Sequence, residues 1–375
     1  MRRLQAEEFL WQRKEALLLD VRSPGEYKHA HIPGAISFPL FTDEERSVVG
    51  TTYKQKSREA AIKIGLDYFG PKMRGMVEDV EKLIADRWPL AVSNRNNEQR
   101  TTANVFLYCW RGGMRSGAVA WLLNLYGFNV TVLAGGYKAF RNYVLKSFEQ
   151  PYSFKILGGY TGSGKTELLQ QLKTQGENVV DLETIASHKG SAFGNLNMPP
   201  QPTQEMFENL LSCELQKVNG EWSVANEAVS STLTTHRSPR TIWLEDESQR
   251  IGLLNIPNAL WKTMRTSPVY FLDVPFRERL KHITQEYGQC DKEKMLAAID
   301  RIKKRLGGLE AKTAAQLLDE GNTEECFAIL LRYYDKQYSK GLHNREDLSS
   351  LLTKIDCETV SAHNAVALLR SQQTV

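Results

Sequence analysis

Short apolar runs alternate with helix-like stretches in the first part of the chain. Four of these runs are too short for helices and end in charged or turn residues, which is typical of buried strands. Between and after them, residues 117–126 and 135–141 have the character of helices. Strands that alternate with helices predict an α/β fold with a parallel sheet and helices on both faces. The four runs are residues 17–22, 32–38, 105–108 and 129–133.

The second part of the chain repeats this alternation. Five apolar runs predict a second parallel sheet, and a helical, basic stretch at residues 289–342 interrupts it before its last strand. We therefore expect two domains, at residues 1–148 and 149–375. A helical insertion is expected at residues 42–104, because this stretch is longer than the first sheet requires. The five runs are residues 154–157, 178–182, 241–244, 268–272 and 352–355.

Composition and charge exclude several classes of protein. The 375 residues carry a net charge of +4, so a nucleic-acid partner must meet a local basic patch. Five widely spaced cysteines without a CxxC pair argue against a disulfide framework, and we expect neither zinc nor haem. The N-terminus lacks the apolar core of a signal peptide, and polar and glycine residues divide the uncharged stretch 116–137. We therefore expect a cytoplasmic protein without a membrane partner.

The sequence CWRGGMRS, residues 109–116, lies between a predicted strand and a predicted helix. Gly112 and Gly113 allow successive backbone N–H groups to turn inward, and Ser116 is a good N-cap for the helix. The helix dipole and two arginines add positive charge, which stabilises a thiolate. Cys109 is therefore predicted to be a nucleophile that carries sulfur or selenium, and the glycines and arginines disfavour the alternative of a buried structural cysteine. The predicted catalytic residues are Cys109, Arg111 and Arg115.

Residues 159–166, GYTGSGKT, match the phosphate-binding motif GxxxxGK[ST] in full. An apolar run precedes the motif and regularly spaced leucines open a helix after it, which is the context that the motif requires. Backbone N–H groups of the loop bind phosphate oxygens, Lys165 adds a charge, and the Thr166 hydroxyl can hold Mg²⁺. The predicted phosphate-binding residues are Gly159, Gly162, Ser163, Gly164, Lys165 and Thr166.

Three consecutive acidic residues, Glu245, Asp246 and Glu247, follow a predicted strand. P-loop proteins keep a carboxylate at this place to organise Mg²⁺ or a water molecule, and three acids in a row leave open which one acts. Thr166 and Asp246 are the predicted Mg²⁺ ligands. A charged loop without a binding role explains the same three residues.

Two further stretches are candidates for substrate contact. A glycine-punctuated loop after the second strand of this domain is predicted to lie beside the phosphates. Basic residues followed by tyrosines in the stretch 289–342 suit a single-stranded RNA loop, although a solvated helix face explains them equally well. The loop residues are Asp181, His188, Lys189 and Ser191, and the basic residues are Arg301, Lys303, Lys304 and Arg305.

These segments resemble known families. Residues 17–40, the CWRGGMRS loop and VLAGGYKAF at 132–140 resemble the rhodanese family in order and spacing. With DLETIASHKGSAFG at 181–194 and WLEDESQRIG at 243–252, the chain resembles the tRNA 2-selenouridine synthase family over nearly its whole length. The resemblance implies a rhodanese-like parallel-sheet domain, followed by a P-loop NTPase or kinase-like parallel-sheet domain with a helical, lid-like insertion.

The resemblance also implies a two-step reaction on the anticodon loop of tRNA. Geranyl diphosphate alkylates the sulfur of 2-thiouridine at the wobble position, and selenium from selenophosphate then displaces the alkylthio group. Cys109 would carry the selenium as a perselenide, while Lys165 and Mg²⁺ would take up the charge of the leaving diphosphate. Two other hypotheses remain open: a P-loop tRNA or small-molecule kinase with a regulatory rhodanese domain, and a tRNA-binding sulfur carrier without enzymatic activity.

Overall fold

The computed structural model of the protein describes residues 1–13, 16–87, 104–219 and 240–371. The chain forms two compact units, Met1–Ser147 and Phe148–Val375, each with its own parallel sheet. This division falls one residue before the boundary predicted between residues 148 and 149. Within the described ranges, every helix is too short or too polar to span a bilayer.

Unit 1 is built on a sheet of parallel strands. They are β1 Arg2–Leu4, β2 Leu17–Asp20, β3 Ile36–Ser37, β4 Asn104–Tyr108 and β5 Asn129–Leu133, in the sheet order β1, β5, β4, β2, β3. β4 lies at the centre, and its residues after Asn104 are buried, as is typical of a strand covered on both faces. Asp20 pairs with Tyr108, so the end of β2 lies beside the start of the predicted cysteine loop. The strand predicted at 32–38 is shorter in the structure, because a turn occupies its first half.

Helices pack on this sheet. They are α1 Ala6–Gln12, α2 Pro24–His29, α3 Asp43–Gln55, α4 Arg58–Phe69, α5 Met73–Arg87, α6 Met114–Tyr126 and α7 Gly136–Ser147. The helices α3, α4 and α5 fall in the predicted insertion, of which residues 88–103 lie outside the described residues. Ala61, Gly65 and Phe69 recur at four-residue spacing and form the buried face of α4. The buried side chains of the insertion share one core with those of β2 and β4.

Unit 2 contains a second parallel sheet. In chain order its strands are β6 Ser153–Gly159, β7 Thr241–Glu245, β8 Arg250–Ile251, β9 Leu254–Asn255, β10 Val269–Asp273 and β11 Leu352–Asp356. The sheet has the order β11, β10, β6, β7, and β8 and β9 pair separately as an antiparallel hairpin. β6 is therefore an inner strand, and the glycine motif that follows it starts at the carboxyl edge of the sheet.

The strand predicted at residues 178–182 is wrong. The described chain makes a single bridge there, between Val179 and Trp243. Asp181 caps a helix instead, because its side chain accepts a hydrogen bond from the N–H of Thr184 at 2.7 Å. Since the cap ends the extended backbone, the sheet has four strands in the described residues rather than the five predicted.

The helices of unit 2 include a bundle with a core of its own. In chain order they are α8 Lys165–Thr174, α9 Leu182–Ala186, α10 Gln204–Val218, α11 Asn258–Arg265, α12 Phe276–Tyr287, α13 Lys292–Leu306, α14 Gly308–Asp319, α15 Thr323–His343, α16 Leu348–Leu351 and α17 Asn364–Ser371. The helical stretch predicted at 289–342 consists of α13, α14 and α15, which separate at Gly307 and Gly321. Together with α12, these helices bury an apolar cluster distinct from the core under the sheet.

Candidate functional site

The cysteine loop joins β4 to α6 and begins at Cys109. Gly113 is the N-cap of α6 and Ser116 lies inside the first turn, so the prediction that Ser116 caps this helix is wrong. The Ser116 hydroxyl donates to the carbonyl of Gly113 at 3.2 Å and lies 3.2 Å from the Cys109 sulfur. In the described part of the chain, no backbone carbonyl accepts a hydrogen bond from the N–H groups of residues 110–115. Those N–H groups can therefore bind an anion carried by the loop.

Two glycines allow the cysteine loop to pack against the chain that follows β5. Gly112 and Gly136 have φ angles of +64° and +60°, which residues with side chains rarely adopt. A Cβ at Gly136 would lie 2.3 Å from the carbonyl oxygen of Cys109, and one at Gly112 would lie 2.6 Å from that of Leu133. The N–H of Tyr137 donates to the same Cys109 carbonyl at 2.8 Å. The backbone that carries the thiol is thus fixed from behind.

The arginines around the cysteine loop differ in how their charge is compensated. Arg115 donates a hydrogen bond to Glu26 at 2.6 Å. Burial raises the pKa of Glu26, but the hydrogen bond and the charge of Arg115 lower it by more, so that the pKa is about 2. Arg22 is buried and donates to Asp20 at 2.6 Å. Arg111 is exposed, and no described side chain forms an ion pair with it. Of the two predicted arginines, Arg111 is therefore the one available to an anion.

A cavity of about 920 Å³ opens beside the thiol of Cys109. Cys109 is only 3% exposed, yet it lines this cavity together with Trp110 and Arg111. Further wall residues come from α3, α4 and α6. Cys109 thus belongs both to the buried core of unit 1 and to the residues that line this cavity.

The P-loop joins β6 to α8, in the context that its motif predicts. Gly164 is the N-cap of α8, so Lys165 and Thr166 begin the helix and their N–H groups lack acceptors within it. The Lys165 ammonium donates to the carbonyl of Gly159 at 3.0 Å. Gly162 has a φ of +83°, and a Cβ there would lie 2.7 Å from a side-chain carbon of α12. The six predicted phosphate-binding residues, Gly159, Gly162, Ser163, Gly164, Lys165 and Thr166, all line one cavity.

Two carboxyl groups face the P-loop, and the sequence analysis missed one of them. Glu183, in α9, accepts a hydrogen bond from the Thr166 hydroxyl at 3.2 Å. Glu183 also lies close enough to Glu247 for the two carboxyl groups to affect each other's pKa. Burial raises the pKa of both groups, the charge of Glu183 raises that of Glu247 further, and Lys165 opposes the rise. In the sequence, Glu183 could have been recognised from its position in the first helical turn after Asp181, the residue that caps α9.

Asp246, the predicted Mg²⁺ ligand, has partners of its own. It forms a buried ion pair with Arg345 and accepts a hydrogen bond from the Tyr338 hydroxyl at 2.7 Å. The same Tyr338 oxygen accepts the N–H of Gly159 at 3.1 Å. Asp246 therefore supports the start of the P-loop through Tyr338. Its binding of Mg²⁺ together with Thr166 stays a prediction, and its carboxylate charge is already compensated by protein groups.

Glu245, the first of the three consecutive acids, is fully buried at the end of β7. It accepts the N–H of Leu182 at 2.9 Å, which fixes the start of α9. Burial raises its pKa well above the usual range, and the nearby carboxylate of Asp181 adds to the rise. A neutral, structural carboxyl group is the state that these surroundings favour.

The four residues of the predicted substrate loop divide into two pairs. Lys189 and Ser191 line the same cavity as the P-loop, and Lys189 forms an ion pair with Glu286. Asp181 caps α9, and His188 is buried, which lowers the pKa of its imidazole. The structure thus brings Lys189 and Ser191 to the phosphate site, whereas Asp181 and His188 hold the loop in shape.

The basic residues of α13 also divide. Arg301 donates to the carbonyl of Ala192 at 2.7 Å and to the side chain of Asn195 at 3.3 Å, so it supports the substrate loop. The last turn of α13, where the helix dipole favours cations, carries three exposed basic side chains. They are Lys303, Lys304 and Arg305. Their contact with tRNA stays a prediction.

The cavity at the P-loop has a volume of about 650 Å³ and two kinds of wall. The P-loop, Glu183 and Glu247 supply polar groups. Apolar side chains come from α12, α15 and the substrate loop. They include Phe193, Ile283, Phe327, Leu330 and Leu331. One space therefore combines an anion cradle with an apolar surface.

Comparison with known proteins matches both units. A family model described as tRNA 2-selenouridine synthase AAA domain matches residues 152–365, and one described as rhodanese-like domain matches residues 5–143. Relatives that carry the name tRNA 2-selenouridine synthase include three at 32–34% identity. The one from Aeromonas salmonicida is 34% identical over 88% of each chain, and the one from Hydrogenovibrio crunogenus is 33% identical over 89% of this chain and 91% of its own. The one from Marinobacter nauticus is 32% identical over 88% of this chain and 89% of its own. These matches and the two parallel sheets confirm the predicted fold class.

Proposed function

The chain belongs to the tRNA 2-selenouridine synthase family, and from this premise we propose that it converts 2-thiouridine at the tRNA wobble position to 2-selenouridine. The proposed transferase works through S-geranyl-2-thiouridine and uses geranyl diphosphate and selenophosphate. The observation that carries most weight is the cavity of unit 2, in which a phosphate cradle and an apolar wall share one space. A prenyl diphosphate requires both.

The first proposed step is alkylation of sulfur at the P-loop. The sulfur of 2-thiouridine attacks C1 of the geranyl group: a C–S bond forms, the C–O bond breaks, diphosphate leaves and the N3 proton of the base passes to solvent. The loop N–H groups and Lys165 stabilise the charge of the leaving diphosphate. Burial of the geranyl chain against Phe327, Leu330 and Leu331 contributes about 0.8 kcal/mol for each buried CH₂ group.

Oxygen donors beside the P-loop fit Mg²⁺. Among the described residues, no group of three or more His, Cys, Asp and Glu side chains is arranged to hold a metal. Mg²⁺ does not require one, since it is commonly held by one or two carboxylates together with substrate phosphates and waters. Thr166, Glu183 and Glu247 would hold the ion, whose charge would favour the ionised form of both carboxyl groups. When bound, Mg²⁺ supplies charge stabilisation for the diphosphate.

The second proposed step replaces the alkylated sulfur by selenium. A C2–Se bond forms, the C2–S bond breaks and geranyl thiol leaves, which is easier than loss of an unalkylated thiocarbonyl sulfur. Cys109 is the proposed carrier of the selenium, as a perselenide stabilised by the loop N–H groups and Arg111. In the proposed loading step a cellular disulfide first oxidises Cys109 to a mixed disulfide, and one thiol leaves. Hydrolysis of selenophosphate releases phosphate and selenide, which attacks the Cys109 sulfur; the S–Se bond forms, the mixed disulfide breaks and the second thiol leaves. After the C2–Se bond has formed, cellular thiols reduce the Se–S bond and restore the cysteine. The wobble base can be turned out at low cost, since it lies in a single-stranded loop.

Two single substitutions test this function in the full chain. Lys165→Ala is expected to abolish geranylation, while Cys109→Ala keeps geranylation and abolishes selenation, so that S-geranyl-2-thiouridine accumulates. Mass spectrometry of tRNA nucleosides measures both outcomes. Phosphate transfer from labelled ATP to thiolated tRNA would support the kinase hypothesis instead, and unchanged tRNA modification in Lys165→Ala would support the carrier without enzymatic activity.

The exposed end of α13 is the proposed contact for tRNA phosphates. Replacing Lys303, Lys304 and Arg305 together by alanine removes three charges, so the slope of log affinity against log salt concentration should fall by about 2. Filter binding of tRNA at several salt concentrations measures the slope. Lys312→Ala, on the exposed face of α14, is the control that should leave it unchanged. An unaltered slope in the triple variant would assign these residues to a solvated helix face.

A further inference from the structure

The cavity beside Cys109 is larger and more apolar than a chalcogen carrier needs. A perselenide anion or selenophosphate is small and polar, and N–H groups and cations are enough to bind it. The cavity measures about 920 Å³, within the range of sites for organic molecules. Apolar side chains from α3, α4 and the preceding loop form much of its wall. They include Phe41, Val49, Ala61, Ile62 and Leu66.

Several of these apolar side chains are exposed to water. Leu66 is 55% exposed, Tyr53 is 53% exposed and Met114 is 51% exposed, and all three line the cavity. In α4 the buried residues Ala61, Gly65 and Phe69 line the cavity, and the exposed Ile62 and Leu66 line it beside them. The helix is therefore apolar over more of its circumference than the core requires. Clustered exposed apolar groups at a concave site are typical of a surface that a ligand covers.

We propose that this cavity binds the alkyl chain of the S-alkylated wobble base while its C2 carbon lies at Cys109. The inference rests on the proposed function, because it takes the S-geranyl base as the substrate of the second step. Cys109, the apolar wall and several exposed cations, among them Arg111 and Lys54, all line the same cavity. The cations suit phosphates of the anticodon backbone, and the apolar wall suits a chain of ten carbons.

This assignment makes the cysteine site selective. An unalkylated 2-thiouridine would leave the apolar wall exposed to water, whereas the S-geranyl base would cover it. The chain that activates the sulfur for departure would thus also supply the binding energy that places C2 beside the selenium. Selection by chain length is the property that distinguishes this site from a plain selenium carrier.

Anticodon stem-loop RNAs with S-geranyl- or S-methyl-2-thiouridine test the proposal, with the full-length protein, selenophosphate and a glutathione thiol–disulfide buffer. The unaltered protein is expected to select the S-geranyl RNA by about tenfold or more in kcat/KM for 2-selenouridine formation. Leu66→Glu is expected to lower kcat/KM for the S-geranyl RNA by about tenfold and to leave the S-methyl rate and the geranylation step unchanged. Ile62→Glu, one helical turn before Leu66 and also exposed on the cavity wall, should act in the same way. Leu125→Glu is the matched control, since Leu125 is 69% exposed and does not line the cavity.

The outcomes separate this inference from the function on which it rests. Equal rates for the two RNAs in the unaltered protein, or an equal loss for both in Leu66→Glu, would overturn the alkyl site and leave the two-step function standing. Loss of geranylation in Leu66→Glu would also overturn it, because the chain would then be bound here in the first step. Failure of the unaltered protein to convert S-geranyl RNA at all would overturn the proposed function itself.

Discussion

The cysteine loop after β4 and the P-loop after β6 share one local design. Each follows a parallel strand, turns at glycines with positive φ and leads into the N-terminus of a helix. They differ in where the acidic groups lie. At the cysteine loop, Asp20 and Glu26 each bind an arginine. At the P-loop, Glu183 and Glu247 face the loop itself, and burial raises the pKa of both.

This difference indicates which ligands the two loops suit. At the cysteine loop the charges of Arg22 and Arg115 are compensated, and N–H groups with the exposed Arg111 suit a chalcogen anion of low charge. At the P-loop the carboxyl groups would repel a bare diphosphate once both were ionised, so they favour a polyanion that arrives with a cation. Similar backbones therefore serve different chemistry because of the side chains that lie around them.

The largest effect is expected from a substitution that distorts the cysteine loop and leaves the P-loop unchanged. In Gly136→Ala, the new Cβ would lie 2.3 Å from the carbonyl oxygen of Cys109, at a backbone φ of +60°. Strain at positive φ and overpacking together should cost about 2–5 kcal/mol in the stability of unit 1. Selenation should be lost while geranylation continues. Urea unfolding followed by hydrogen exchange of β4, with nucleoside analysis, measures both results.

Gly117→Ala is the control for this substitution. Gly117 lies in α6, close to the same loop, and a Cβ there would meet no atom within 4 Å. Alanine in a helix should raise the stability of unit 1 by about 0.5–1 kcal/mol. If Gly136→Ala also removed geranylation, the two loops would not be independent, and the comparison between them would fail.

Local sequence could predict the two loops because each depends on neighbours in the chain. A strand, a glycine motif and a helix in succession place Cys109 and Lys165 without knowledge of the rest of the fold. The edge strand β1 was missed, since Arg2–Leu4 is short and half charged and is ordered by pairing with β5. Ser116 was misassigned as a cap because the helix begins two residues before it, at Met114.

Electrostatic partners could not be predicted in this way. Arg115 meets Glu26, which precedes it by 89 residues, and Glu183 meets Thr166 only when α9 lies beside the P-loop. The sequence shows these charges but not their distances. For the same reason the three consecutive acids looked equivalent, whereas the fold pairs Asp246 with Arg345 and buries Glu245.

An intermediate effect is expected from removing the carboxylate that compensates Arg115. Glu26→Gln leaves a half-buried guanidinium without its ion pair, which should cost about 1–3 kcal/mol in the stability of unit 1 at pH 7. Because the pKa of Glu26 falls from 4.5 to about 2 on folding, its contribution is present above 4.5 and is lost as the pH falls through 2. Between pH 4.5 and pH 2, the free energy of unfolding should therefore change less in Glu26→Gln than in the unaltered protein.

Urea unfolding at pH 7 and pH 3, followed by hydrogen exchange of β2, measures this difference. Glu8→Gln is the matched control, because the Arg2–Glu8 pair is exposed and should contribute little. A Glu26→Gln variant as stable as the unaltered protein at pH 7 would show that the guanidinium of Arg115 does not need this partner. The guanidinium of Arg115 would then be available to an anion on the cysteine loop, as the sequence analysis expected.

The smallest effect is expected from a substitution of Glu245, which should make unit 2 more stable. Burial raises the pKa of Glu245, so the folded state holds a proton that the unfolded state releases, and stability falls as the pH rises from the usual carboxyl range through the raised pKa. Glu245→Gln removes this titration, and the new amide keeps an oxygen for the N–H of Leu182 and an N–H for Asp181. The melting temperature of unit 2 at pH 8 should then rise by about 2–4 °C, with little change at pH 5.

Asp246→Asn should lower the melting temperature instead, because it leaves the buried Arg345 without its carboxylate. A lower melting temperature for Glu245→Gln would mean that Glu245 is ionised in the folded protein. The comparison of the two loops would then have to include three acidic groups near the P-loop, Glu183, Glu245 and Glu247, rather than two.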